Sequence, residues 1–172
     1  MDFNRKLEKN KKEIIDKWFL VTINSYPQDT AKFFGKLKNR FDNPVGTATA
    51  QSLEETFDLM IQKEFNADKI ETALDSIIRI RAVQDFSASQ AVGFIFELKQ
   101  IIKTVLNEDR DSAFDAKIDQ TALAAFNRFM KCRENVFLLK ATESKRRIHR
   151  AFERAGLVTE LKEETLLGSN ES

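Results

Sequence analysis

The sequence predicts an all-α protein of about six helices, the last of them much the longest. Three observations predict it. Apolar residues recur at three- and four-residue spacing almost everywhere, and the alternation of a half-buried strand is absent. Five Gly and two Pro in 172 residues leave few places for β-turns. The punctuation that does occur is of the kind that starts and stops helices.

The first helix is expected from Asp2 to Ser25. Leu7, Ile14, Trp18 and Val21 share one face, which Ile15, Phe19 and Ile23 widen. Tyr26-Pro27 stops it, because proline disfavours α geometry in the residue before it. A short helix follows from Gln28 to Leu37, with Phe33 and Phe34 inward. In the loop Asn39-Arg40-Phe41-Asp42-Asn43-Pro44, Asn43 caps the next helix and Pro44 takes its first position, where no amide hydrogen is needed. That helix runs to Phe65 with Leu53, Phe57, Met60 and Ile61 on its inner face.

The fourth helix covers Ala67 to Gln84, with the stripe Ile70, Leu74 and Ile77. At about 100° per residue, Arg81 falls in the centre of that stripe and Arg79 points the opposite way. The fifth helix opens at Ser87. Ser87-Ala88-Ser89-Gln90 reads as a capping box, and Phe86 and Ala91 hold the positions of a hydrophobic staple. Ala91, Phe94, Ile95, Leu98, Ile102 and Val105 make its main face, with Val92 and Phe96 to one side. The last helix extends from Ser112 to Ala155. Phe114, Ile118, Ala122, Ala125, Phe126, Phe129, Val136, Phe137, Ile148 and Ala151 track one face, and Gly156 stops it. Residues 1–156 read as one domain and 157–172 as a polar, flexible tail, with no internal repeat.

Apolar residues make up 42% of the chain and charged residues 32%, a soluble balance rich in charge. The net charge of +1 supplies no global field to recruit nucleic acid or anionic lipid. Fifteen Phe against one Trp and one Tyr are mostly core filler, since phenylalanine carries no polar handle. Cys132 is the sole cysteine, which rules out an intrachain disulfide and suits a reducing compartment. The N-terminal stretch lacks the apolar segment of a signal peptide, and no apolar run approaches the ~18 residues of a membrane span. A cytoplasmic protein with no membrane insertion and no nucleic-acid partner is expected.

Few residues carry chemistry. His149, the only histidine, falls opposite the apolar face of its helix among Lys145, Arg146 and Arg150, so it reads as solvated rather than as a haem ligand. One histidine excludes a multi-histidine metal site, and no ExxH motif is present for a di-iron bundle. Cys132 has no neighbouring histidine to activate it and reads as structural. The single glycine of "NPVGTAT" is a weak phosphate-loop signal beside its reading as a helix cap. "KATESKRRIHRAFER" is a basic stretch that suits the C-terminal end of a helix and reads as a solvated face. No constellation of nucleophile, base and orienting group is visible, so an enzyme is not expected and no cofactor is called for.

Arg81 and Arg133 stand out because both fall on apolar faces. A buried guanidinium without partners is costly, so each must find a carboxylate, cap carbonyls or line a pocket. Asp85, Asp119 and Glu134 are the candidate carboxylates for a structural ion pair. The alternative is a pocket for a small anionic or carboxylate ligand, with the planar fork of arginine, Ser87, Gln90 and the start of the fifth helix contributing donors.

The segments "RFDNPVG", "IIRIRAVQDFSASQAVGFIFELK" and "CRE", with Trp18 and Tyr26-Pro27, resemble the RsbRD N-terminal domain family over residues 10 to 150. The resemblance implies a globin-like helical fold that binds no haem, pairing as a homodimer, and a sensory role passed through the long last helix to a STAS output domain. Short members are associated with dissimilatory sulfur metabolism. The sequence has Ala88 where the family often has proline after the cap serine, and no STAS domain is seen after the last helix. A protein partner acting in trans is therefore expected. The function implied is a non-enzymatic sensor or adaptor, the rivals being an accessory protein of a sulfite-reduction complex and a haem- or cofactor-binding globin.

Overall fold

The computed structural model describes residues 2–27, 43–84, 86–107 and 111–156. Among the described residues there are six helices and no strand. They are α1 (Phe3–Lys9), α2 (Lys11–Asn24), α3 (Pro44–Ile61), α4 (Ala67–Val83), α5 (Ala88–Leu106) and α6 (Ser112–Arg154). The protein is an all-α bundle whose last helix, at 43 residues, is its longest. The short helix expected over 28–37 and the tail 157–172 lie outside the described residues. The chain divides into two compact units, Met1–Glu134 and Asn135–Ser172.

Helix ends follow from side chains that satisfy orphan amides. Asn43 Oδ1 accepts from the Gly46 amide at 2.8 Å, with Pro44 at the first helical position. Gly46 is required there, because a Cβ would run into the Asn43 side chain. At α5 the capping box is complete: the Gln90 amide donates to Ser87 Oγ at 3.3 Å, and the Ser87 amide donates to Gln90 Oε1 at 3.0 Å. Two further caps carry no comparable double signature. Asn66 Oδ1 accepts from Lys69 N at 3.0 Å, and Asp111 Oδ1 accepts from Phe114 N at 2.8 Å. Gly156, at φ +67°, closes α6 in the left-handed region that favours glycine.

Two boundaries differ from the sequence reading. The first helix is interrupted at Asn10, whose side-chain amide donates to the Lys6 carbonyl at 2.9 Å. Asparagine competes with the helical backbone for such carbonyls. α3 ends at Ile61, four residues before Phe65, where Gln62 turns to an extended conformation.

In the first unit the core gathers the inner faces of all the helices. Trp18, Phe57, Met60, Leu74, Ile77, Ile95 and Ile118 are fully buried. Trp18 Nε1 donates to the Phe94 carbonyl at 2.8 Å, and its indole stacks on the Phe94 ring at 6.1 Å, which ties α2 to α5. Phe3 and Phe57 close on Phe114 at 5.8 and 6.4 Å. α6 departs from its expected face at Phe126, which is exposed. The buried residues Thr121, Ala122, Ala124, Ala125 and Phe129 span one arc of the helix, and at about 100° per residue Phe126 falls just past its edge. The small Ala125 takes the inner position, as do Ala122 and Ala124.

Gly46→Ala should push aside the Asn43 cap and lower stability by about 1–2 kcal/mol. The measurement is the urea midpoint of the purified variant. An unchanged midpoint would show that the cap has other room to form.

Candidate functional site

Arg81 lies on α4 with 0% relative exposure, and among the described residues only Trp18 is a larger fully buried side chain. Its fork joins three helices. Nη2 donates to the Thr22 carbonyl at 3.0 Å and to Ser25 Oγ at 2.7 Å, at the end of α2. Nη1 donates to the Gln90 and Ala91 carbonyls at 3.1 and 3.3 Å, in the first turn of α5. Three rings surround the cation, with Cζ 4.5 Å from the centroid of Phe94, 4.8 Å from Tyr26 and 5.2 Å from Phe86. Burial pushes the guanidinium down from its ordinary value, and Tyr26 opposes that shift.

The acceptors are available for a local reason. In the last turn of α2 the Ser25 amide bonds to Val21 O and the Tyr26 amide to Ile23 O, so the backbone skips Thr22 O. Ser25 Oγ donates to that oxygen at 2.6 Å, and Arg81 supplies its other donor. The arginine therefore completes the C-terminal end of α2, where the helix dipole favours a cation. Arg81 Nε and Gln84 Oε1 are buried with no hydrogen-bond partner among the described residues.

The candidate residues separate into different structures. Among the described residues Arg81 takes carbonyls, a hydroxyl and aromatic faces. Asp119 pairs instead with Lys99 at 2.5 Å, and Glu134 is exposed. Asp85 lies outside the described residues. Arg133 donates to the Ala82 carbonyl at 3.0 Å, in the last turn of α4. The side chains of Ser87 and Gln90 form the capping box, and Gln90 meets Arg81 through its backbone oxygen. A third cation follows the same rule: Lys117 Nζ donates to Met60 O at 3.1 Å and also to Gln62 O, at the end of α3. Sequence patterning did not single out Lys117, since a lysine on a charged helix carries no special signal.

Ser25, Gln90 and Phe94 also form part of the wall of a groove of about 420 Å³, with Val21, Asn24, Gly93 and Glu97. A Cβ on Gly93 would meet nothing within 4 Å, so the groove is open at that point. A second, acidic groove of about 360 Å³ lies along α4 at Asp68, Glu71, Thr72 and Asp75. Its Asp75 is bridged by Arg128 of α6 at 2.5 Å, and Glu71 by Lys131 at 2.8 Å. His149 is exposed and lies 3.1 Å from Glu153. Cys132 is buried. No group of three or more His, Cys, Asp or Glu among the described residues is placed to hold a metal ion. The Arg81 assembly fixes the mutual position of α2, α4 and α5.

A family model described as the RsbT co-antagonist protein rsbRD N-terminal domain matches residues 12–143. No curated protein and no solved structure matches the chain.

Replacing Arg81 by Ala should lower stability by about 3–5 kcal/mol, because it leaves buried acceptors unmet and a cavity among three rings. Arg81→Lys should recover only part of this, since an ammonium lacks the fork that spans two helices. Arg133→Ala, at a half-buried site with one carbonyl, should cost about 1–2 kcal/mol. Chemical denaturation of the three variants checks the ranking. An Arg81→Ala protein as stable as the parent would remove the anchoring role.

Proposed function

The chain belongs to the RsbT co-antagonist protein rsbRD N-terminal domain family, and from that premise we propose that it is a non-enzymatic regulatory domain. It works through protein contacts, as a homodimer joined along the first half of α6. The family match supports the regulatory reading, since the family is one of regulatory domains.

The observation that carries the pairing is on the outer face of α6 within the first unit. Leu123, Phe126 and Met130 are 65%, 40% and 41% exposed. Their spacing of three and four residues places them on one side of the helix. Ala122, Ala125, Phe129 and Cys132 face the core from the other side. Three large apolar side chains in register on one helix gain by being covered, and a second copy offers the same patch in an isologous contact. The charges around the patch are mixed, with Glu134 near one end and Lys131 held by Glu71, so two copies meet without a block of like charge.

Signal input in this reading is a shift of α2 or α5 against the Arg81 assembly, brought about by a small ligand or a protein surface. The setting implied for short members, dissimilatory sulfur metabolism, supplies the partner in trans. Co-purification from the native host is its test.

Phe126→Glu with Met130→Glu should convert a dimer to a monomer while the helical circular dichroism stays unchanged. Light scattering after size exclusion reads the mass. A parent protein that is monomeric at tens of micromolar would sink the homodimer.

A further inference from the structure

Two sets of contacts hold α4, and they meet at adjacent residues. Glu71, Asp75 and Ala82 are spaced by four and seven residues, so they fall within about 40° of one another around the helix. α6 takes all three. Lys131 reaches Glu71 at 2.8 Å, Arg128 reaches Asp75 at 2.5 Å, and Arg133 donates to the Ala82 carbonyl at 3.0 Å. Arg81 precedes Ala82 and points about 100° away from it. Its fork holds Thr22 O and Ser25 Oγ at the end of α2, and Gln90 O and Ala91 O in α5. The last turn of α4 therefore carries α2 and α5 on one residue and α6 on the next.

This turn has little slack. Ala82 O is one of the last four carbonyls of α4, which an α-helix leaves open. The Gln84 amide closes on Ile80 O at 3.1 Å, and the backbone then turns extended at Gln84. Arg81 fixes the turn from the inside, since its side chain is fully buried. A displacement of α2 by about 1 Å would carry Thr22 O out of hydrogen-bond range. Arg81 would then follow α2 or seek other acceptors, and the peptide that joins it to Ala82 would move in either case. Asp75 and Glu71 lie two and three turns earlier on α4, where their ion pairs with α6 are unaffected.

We propose that the last turn of α4 couples the α2–α5 junction to α6. Loosening α2 at Ser25 frees Arg133 from Ala82 and opens α6 locally around Cys132, with Arg128 and Lys131 as the fixed points. The regulatory reading above supplies the purpose of this device, and the device gives that reading a route. An occupant of the groove beside Ser25 and Gly93 acts on α6 without touching it.

Cys132 is the reporter, since it is the sole cysteine of the chain and is buried on α6 next to Arg133. The full chain is labelled with N-ethylmaleimide, and mass spectrometry reads the rate. Ser25→Ala removes one acceptor of Arg81 and the hydroxyl that donates to Thr22 O at 2.6 Å. It should speed labelling about tenfold, and Arg133→Met should do the same. The double variant should be no faster than the faster single variant, because both act on one link. Gly46→Ala weakens the cap of α3 away from this turn and should change the rate by less than about twofold. An unchanged rate in Ser25→Ala would overturn the control of the turn by α2. Effects of Ser25→Ala and Arg133→Met that multiply would overturn the coupling, since independent losses add in free energy. Acceleration by Gly46→Ala as large as that by Ser25→Ala would show that Cys132 is reached only when the whole fold opens, and would overturn local release. The mass measurement decides the homodimer separately, so a monomeric parent leaves the coupling to be read from these rates.

Discussion

Three helices of the first unit end on cations supplied by other helices, and the arrangement of the bundle depends on this. The last carbonyls of an α-helix have no partners within it and carry the negative end of its dipole. Thr22 O at the end of α2 is taken by Arg81 of α4. Ala82 O at the end of α4 is taken by Arg133 of α6, and Met60 O at the end of α3 by Lys117 of α6. Each contact stabilises a helix end and at the same time fixes which helix lies against it. A charge-assisted hydrogen bond of this kind contributes about 1.5–3 kcal/mol. Three of them are a large part of the stability of an ordinary domain.

Arg81 is the most demanding of the three, because it is wholly buried and, among the described residues, its hydrogen-bond partners are neutral. The guanidinium is more weakly hydrated than an ammonium, and its planar fork reaches two helices at once. Phe94, Tyr26 and Phe86 present ring faces that carry partial negative charge, which offsets part of the lost hydration. The same Phe94 offers its carbonyl to Trp18, so the cation site and the aromatic core share a residue. A displacement of α2 against α5 would have to break both contacts together. That coupling makes the junction stiff, and it gives a regulatory domain a defined element to move.

α6 serves two chemistries along one helix. As far as Glu134 its inner residues are small or apolar and its cations reach back to other helices. From Asn135 onward it buries no residue, and its cations face outward. The change follows composition: Thr121, Ala122, Ala124 and Ala125 allow close packing, whereas Lys140 to Arg154 is too charged to be buried.

Local signals in the sequence determined much of the fold. Asn43 with Pro44, Ser87 with Gln90, and Gly156 all mark helix ends where the structure has them, because a cap acts within three or four residues. Apolar spacing placed Trp18, Leu74, Ile77 and Ile95 inside and put Arg81 on an inner face. The breaks at Asn10 and Ile61 were less legible, since one asparagine or glutamine sits as readily inside a helix as at its end. Only the tertiary structure decided how deep Arg81 lies and what it holds. Thr22 is 59 positions away in the chain, and the acceptors are mostly backbone carbonyls, which nearly every residue possesses alike. A carboxylate partner leaves a letter in the sequence that can be looked for; a carbonyl leaves none. The identity of the cation was therefore readable from the chain, and the identity of its partners belonged to the fold.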